Sequence, residues 1–429
     1  MIDPIVYARA VHFAATIALA GVSFFVVFVV DARTMKALRR PLAVIAWISL
    51  AFALVSGAAW LVLTAASMSG QAAADAVAPD VLWAVLSRTD FGNDWLVRFA
   101  LACATAAVLV PLLSSQNARP GWLQAAAAIL SAAFVGALAW AGHAIGGQGL
   151  EGVLHPAADV LHLIAAAAWL GTLVPLALLL GLAANEAAAL ATARAATLRF
   201  STLGVIAVGT LLLSGIVNTW YLAGSIPALL GTDYGRLLLL KIALFLAMVA
   251  VAAINRLRLT PRLLDDSNPA AAHDARWKLR RNATVEASLG AVIIAIVAQL
   301  GVLPPASHSH HHVSESSLPA DAAYQHIHGE QGMVDIIIEP GHVGTAAATI
   351  RLWNDNMEPL DARELTLTLT APTPASKAKA YAATRDDDGN WQVDGIDLTE
   401  PGNWAVAVDA VLGSNANLKL AAEIVIDAK

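Results

Sequence analysis

Cysteine is nearly missing from these 429 residues. Cys103 stands alone inside an apolar run, so no disulfide framework holds the fold and the thiol reads as a small core residue. Charge is scarce as well. Asp, Glu, Lys and Arg make up 14% of the chain, where soluble domains carry about a quarter. The net charge of −6, with no basic patch interleaved with aromatics, excludes a nucleic-acid partner. There is no Gly-rich phosphate loop and no nucleophile elbow, so no hydrolase or transferase constellation is visible. The chain is therefore not expected to be an enzyme or a primary pump.

What is present is apolar: 58% of the residues are hydrophobic and the mean hydropathy is +0.64. A bilayer-spanning helix needs roughly 20 mostly apolar residues. Eight stretches qualify: 5–30, 42–68, 95–113, 122–141, 156–182, 200–222, 236–254 and 283–303. The first is too long for a signal-peptide core and follows no basic segment, so it is read as a retained helix. Arg33, Lys36, Arg39 and Arg40 fill the first loop, Arg194 and Arg199 the fifth, and seven Lys or Arg residues between Arg256 and Arg281 the seventh. The alternate loops are neutral or acidic, with Asp75, Asp80, Asp90 and Asp94. Basic loops face the cytoplasm, which puts both termini on the periplasmic side of a bacterial-type inner membrane. Trp83, Trp95, Trp140, Trp220 and Tyr221 then form an aromatic belt at the outer interface.

The membrane part repeats itself. His12 precedes Gly21 by nine residues in the first span, and His162 precedes Gly171 by nine in the fifth. Thr89-Asp90-Phe91-Gly92 opens the third span, with Arg98 six residues after the glycine; Thr232-Asp233-Tyr234-Gly235 opens the seventh, with Lys241 at the same spacing. Ser56-Gly57 and Ser214-Gly215 match in the second and sixth. The fold class expected is an all-α polytopic bundle of two parallel four-helix repeats, followed by a small all-β sandwich. A shared site is expected at the interface of the repeats.

Eleven of the twelve histidines map to the outer half of the membrane or beyond; only His273 lies in a cytoplasmic loop. His12 and His162 sit roughly 10 Å below the outer surface at about 1.5 Å per residue. His143 ends the fourth span, and His155, Asp159 and His162 share one helix face. A single intramembrane histidine is more often a hydrogen-bonded core residue. A symmetry-related pair with further histidines above it favours a ligand role, and imidazole suits copper, zinc, iron and nickel, with copper at the top of the divalent series. Arg98 and Lys241 either snorkel to the headgroups or hold an anion such as a haem propionate. Glu286 is either an exit-side ligand or proton acceptor, or one half of a local ion pair with Arg281.

The stretches Thr89 to Arg98, His162 to Gly171, Tyr234 to Lys241, Asn255-Arg256 and Glu286 to Pro305 together resemble the copper resistance protein D (CopD) family over most of residues 1–305. The resemblance implies a polytopic inner-membrane protein that handles copper, commonly described as moving it from periplasm towards cytoplasm.

Pro304-Pro305 closes the membrane domain (1–305), and a His-rich linker (306–332) with His308, His310, His311 and His312 follows. From Met333 the period switches to short alternating strands, read as a periplasmic β-sandwich over 333–429. His326, His328, Met333, His342 and Met357 give this tail a mixed imidazole–thioether inventory suited to copper. The tail resembles the YtkA/FixH-like sandwich fused to some CopD relatives. Three functions stay open. The chain is a copper transporter, with His12, His143, His155, Asp159 and His162 along its path and a periplasmic copper carrier as partner. Or it is a redox protein whose His12 and His162 ligate a b-type haem, with Arg98 and Lys241 near its propionates. Or it is a metal-sensing or chaperone scaffold.

Overall fold

The computed structural model describes residues 3–30, 38–114, 121–141, 151–184, 187–223, 226–303, 321–329, 332–353, 359–373, 377–386, 389–412 and 417–428. The chain divides into two compact units, Met1–Ser309 and His310–Lys429. Among the calls made on the sequence, His143, Met357 and the linker histidines from His308 to His312 lie outside the described residues.

The first unit is helical. Asp3 starts α1 (Pro4–Phe24): its carboxylate accepts a bond from the Ile5 amide at 2.9 Å, and Pro4 occupies a position where no amide hydrogen is needed. A π-helical turn, Phe25–Val29, extends it. Then come α2 (Arg39–Ser69), ended by Gly70 in the left-handed region at φ 68°, a short α3 (Pro79–Arg88), α4 (Asp90–Ser114) and α5 (Gly121–Gly136). The second half follows as α6 (Glu151–Leu182), α7 (Ala187–Ala223), a short α8 (Ile226–Gly231), α9 (Asp233–Ile254) with its π turn Asn255–Leu259, a short α10 (Thr260–Leu264), and α11 (Pro269–Leu300). Among the described residues eight helical segments are long and apolar enough to cross a bilayer.

The outer surface of this bundle is itself apolar. Val55, Leu213 and Ile216 are each about two-thirds or more exposed, an arrangement that water penalises and lipid does not. Polar side chains inside the bundle return their hydrogens to their own helix, as Thr16 does to the His12 carbonyl at 2.9 Å and Ser131 to Ala127 at 2.7 Å. Cys103 lies on the exposed side of α4, not in the core, because an apolar run that faces lipid has the same composition as one that faces protein.

Both halves are built alike. The Thr89 hydroxyl accepts the Gly92 amide at 3.0 Å, and the Thr232 hydroxyl accepts the Gly235 amide at 2.9 Å. Each threonine thus caps the helix it starts, with an aspartate in the first turn where the helix dipole favours it. A methyl group added at Gly92 would collide with the Val85 carbonyl of α3, and one at Gly235 with the Leu229 carbonyl of α8. The Thr-Asp-aromatic-Gly motif is therefore a corner between a short helix and a spanning one, used twice. The halves meet where α1 crosses α6: a Cβ on Gly21 would fall on the Gly171 backbone, and one on Gly171 on the Ile17 carbonyl. Small residues allow that approach, and packing rather than hydrophobic exclusion holds such helices together in lipid.

Helix α11 begins at Pro269, well before the 283 start read from hydropathy. Asn268 caps it by accepting the Ala271 amide at 3.0 Å, and Arg276 donates to the Leu180 carbonyl at 2.7 Å. Hydropathy registers only the lipid-embedded stretch, while the helix continues beyond it on polar contacts.

The second unit is a sandwich of two antiparallel sheets, β1-β2-β3-β7-β6 and β5-β4-β8-β9. The strands are β1 (Ala323–Gly329), β2 (Gly332–Glu339), β3 (Gly344–Trp353), β4 (Ala362–Thr370), β5 (Lys379–Ala382), β6 (Thr384–Arg385), β7 (Trp391–Leu398), β8 (Gly402–Leu412) and β9 (Asn417–Ile426). Ile336, Ile338 and Ile350 of one sheet face Leu367, Val406, Val408 and Ile424 of the other across the buried core. The sandwich starts with β1, ahead of the Met333 boundary, so His326 and His328 belong to a strand and not to a linker. Periodicity does not mark that strand, because among the described residues Ala323 and Ile327 are what it adds to the core.

Candidate metal site

His12 is buried on α1, and its Nδ1 lies 2.9 Å from the Ala53 carbonyl and 3.3 Å from the Ser56 hydroxyl, both on α2. A carbonyl only accepts, so Nδ1 carries the hydrogen and Nε2 keeps the lone pair. On α6, the His162 Nδ1 lies 2.9 Å from the Ser214 hydroxyl of α7. That hydroxyl already donates to the Thr210 carbonyl at 2.6 Å, so here too Nδ1 donates and Nε2 is left as the base. The glycine after each serine gives the ring room: a Cβ on Gly57 would approach the His12 Cε1 to 3.2 Å, and one on Gly215 the His162 Cε1 to 3.7 Å. Ser-Gly is thus a histidine-orienting device present in both halves. A fixed tautomer with Nε2 available is the form in which imidazole binds a metal. The His12 Nε2 is buried without a hydrogen-bond partner.

The sequence led to the expectation that the two rings meet between the halves. The structure gives each its hydrogen-bond partners within its own half, and among the described residues no group of three His, Cys, Asp or Glu side chains converges. Backbone meets backbone nine residues further along, at Gly21 and Gly171. The shared face of α6 pairs with α7 in a ladder. His155 stacks on Tyr221 (5.0 Å between centroids, 21°), the Asp159 carboxylate accepts from the Asn218 amide at 2.6 Å, and His162 meets Ser214.

The first half carries a residue that sequence reading passed over. Arg9 precedes His12 by three positions, as Asp159 precedes His162, and Trp60 follows Ser56 by four, as Asn218 follows Ser214. An opposite charge at the same repeat position was the available signal. Arg9 and Arg98 both lie on the Trp60 indole, with guanidinium carbons 4.8 and 4.9 Å from a ring centroid. Arg98 is 3% exposed, and its Nε is 2.9 Å from Asp94, while Nη1 and Nη2 have no hydrogen-bond partner. Arg98 is therefore engaged inside the bundle and does not snorkel. Two guanidiniums face one carboxylate around His12, whereas Lys241 and Asp159 balance one another beside His162. Burying like charges without compensation is costly, so of the two imidazoles His162 has the surroundings more hospitable to a cation.

In the sandwich, the Asp335 carboxylate on β2 is 1% exposed. It accepts from His326 Nδ1 at 2.6 Å, the Tyr324 hydroxyl at 2.7 Å and the Trp353 indole at 2.9 Å. Burial by itself would push this carboxyl up, but those three donors and the His326 charge hold it below the ordinary aspartate value. The Tyr324 hydroxyl is pushed up by burial and by its bond to Asp335. A carboxylate on Nδ1 is the usual support behind a metal-binding imidazole. Register places His326 opposite Asp335 and pairs His328 with the buried Met333. His342 lies past the far end of β2, bridged to Asp427, so it does not join the other three.

The fold and these buried groups define a polytopic membrane protein of two similar four-helix halves with paired, oriented imidazoles. Residues 1–153 match the family Copper resistance protein D-like, N-terminal domain, and residues 194–300 match Copper resistance protein D. The chain belongs to the copper resistance protein D family. It is 30% identical over 301 residues to Inner membrane protein YebZ of Escherichia coli (strain K12), covering 69% of this chain and 97% of that one. It is 29% identical over 252 residues to Copper resistance protein D of Pseudomonas syringae pv. tomato, covering 57% and 78%. With Copper transport protein CutJ of Bacillus subtilis (strain 168) the identity is 26% over 343 residues, covering 78% and 58%.

Proposed function

We propose that this chain moves copper across the inner membrane, from periplasm towards cytoplasm. The observation that carries the reading is the pair of imidazoles His12 and His162, each fixed through Nδ1 with Nε2 left as the ligand atom, in a family named for copper resistance. The basic loops set the N-terminal ends of α1 and α6, where both histidines lie, on the periplasmic side. His155, Asp159 and His162 then form the entry path, with His12 and His143 as further ligands. Sites of modest strength in sequence allow passage, where one strong site would trap the ion. The sandwich, periplasmic in this topology, offers His326 with its Asp335 support as a collecting site, with His328 and Met333 paired in register two residues along.

The test is copper uptake into proteoliposomes holding the full chain, compared with His12→Ala/His162→Ala. Uptake by the parent and its loss in the variant, to a tenth or less, is the expected result. Equal uptake by both removes the two histidines from the path, and binding without uptake makes the chain a copper scaffold. The same imidazole tautomer also suits haem iron, and the spare donors of Arg98 suit a propionate. A Soret band in the purified protein would turn the assignment to an electron-transfer protein.

A further inference from the structure

At the basic end of the second half, α6, α7, α9 with its π turn, α10 and α11 line a half-open cavity of about 220 Å³. Its walls are mostly apolar, with Leu173, Val205, Val249 and Leu279 among them, but Glu286 of α11 lines it too and is only 1% exposed. The Glu286 Oε1 accepts from the Asn255 amide at 2.7 Å, and the Asn255 oxygen accepts from the Asn282 amide at 2.7 Å. The Trp169 indole is also within bonding reach of the carboxylate. Oε2 has no hydrogen-bond partner. Asn255 opens the π turn, whose widened loop is closed by the Thr260 hydroxyl donating to the Asn255 carbonyl at 2.9 Å. Such turns are frequent at functional sites.

Among the described residues nothing charged answers this carboxylate. Arg256 lines the same cavity, but its Nη1 is taken by the Ser201 carbonyl and hydroxyl at 3.0 and 2.7 Å. Arg281, the partner expected from the sequence, bonds Asn282 at 3.3 Å and lies over Trp277. Helices α6, α7 and α10 bring Trp169, Thr197, Ser201 and Thr260 to the cavity, none of them titratable in the working range, and α1 has no charged residue between Phe13 and Val29. Among the described residues no cation pairs with Glu286. Neutral donors such as the Asn255 amide and the Trp169 indole do not offset the cost of an ionised carboxylate at membrane depth, whereas a proton on Oε2 removes it.

We propose that Glu286 is a proton-binding site, loaded and emptied through this cavity, and that it couples copper passage to proton movement. The coupling rests on the transport reading given above; the proton site does not. When Oε2 is protonated the carboxyl is neutral and donates into the cavity. When the proton leaves, the carboxylate is held by the neutral donors Asn255 and Trp169 until another cation or proton arrives. Only the proton changes place in this step, and no bond to carbon or metal is made.

Two measurements on the full chain test it. Infrared titration of the purified protein should show a protonated-carboxyl carbonyl band that disappears as pH rises, is missing in Glu286→Gln and returns shifted in Glu286→Asp. Proteoliposomes loaded with a pH-sensitive dye should show a luminal pH change during copper uptake, cut at least tenfold in Glu286→Gln while copper still binds. The same band in Glu286→Gln as in the parent overturns the proton site. Parent uptake with no pH change overturns the coupling. Absence of uptake in the parent overturns the transport reading and with it the coupling, while the infrared band still decides the site.

Discussion

The bond that His162 Nδ1 donates to the Ser214 hydroxyl decides which ring nitrogen keeps its lone pair, because the serine's own hydrogen is committed to Thr210. Removing the hydroxyl in Ser214→Ala leaves Nδ1 without a fixed partner and frees the ring to tautomerise and turn. Lost support of this kind typically weakens metal binding about 10- to 100-fold, and competition with a copper chelator measures it. A copper affinity unchanged in that variant would show that His162 is not a ligand. Asp335 works in the same manner on His326, with a consequence for pH. Its carboxyl titrates below the ordinary aspartate value in the folded sandwich, so it contributes stability at neutral pH. That contribution fades as pH falls below the ordinary aspartate range and through the folded value. Asp335→Asn should remove this acid dependence and cost about 2–3 kcal/mol, the scale of a lost hydrogen bond to a charged group. Amide exchange along β2 in the full chain, followed with pH, reads both effects.

At the scale of elements, the crossing of α1 over α6 depends on two residues without side chains. Gly21→Leu would place a branched side chain where the Gly171 backbone lies, and the helices must separate to admit it. Overpacking of this kind costs about 1–3 kcal/mol or more. A lowered thermal aggregation midpoint in detergent, with Gly204→Leu as a control where a Cβ meets nothing within 4 Å, is the measurement. The eight spans were legible because roughly twenty apolar residues in a row have few other uses, and the motif corners were legible as repeats. Strand β1 was not, since among the described residues it gives Ala323 and Ile327 to the core, and two such side chains carry little periodic signal. The early start of α11 was hidden for the opposite reason: a polar helix end looks like a loop to hydropathy.

For the whole molecule, the placement of both termini on the periplasmic side is open to direct labelling. In a Cys103→Ser background, a single cysteine at Ser267 should react with an impermeant maleimide only after the cells are opened, and one at Asp75 should react in intact spheroplasts. The reverse pattern would invert the direction of the proposed path. Sequence alone determined the class of this protein, since hydropathy, loop charge and repeated spacings depend on residue order and on the bilayer. Tertiary structure alone decided the partners. It set Arg9 beside Arg98 on Trp60, gave each histidine to its own half, and turned Glu286 away from Arg281 towards Asn255. The physical reason is that a buried polar atom is settled by whatever donor or acceptor lies within about 3 Å of it, and those neighbours come from helices far apart in the chain.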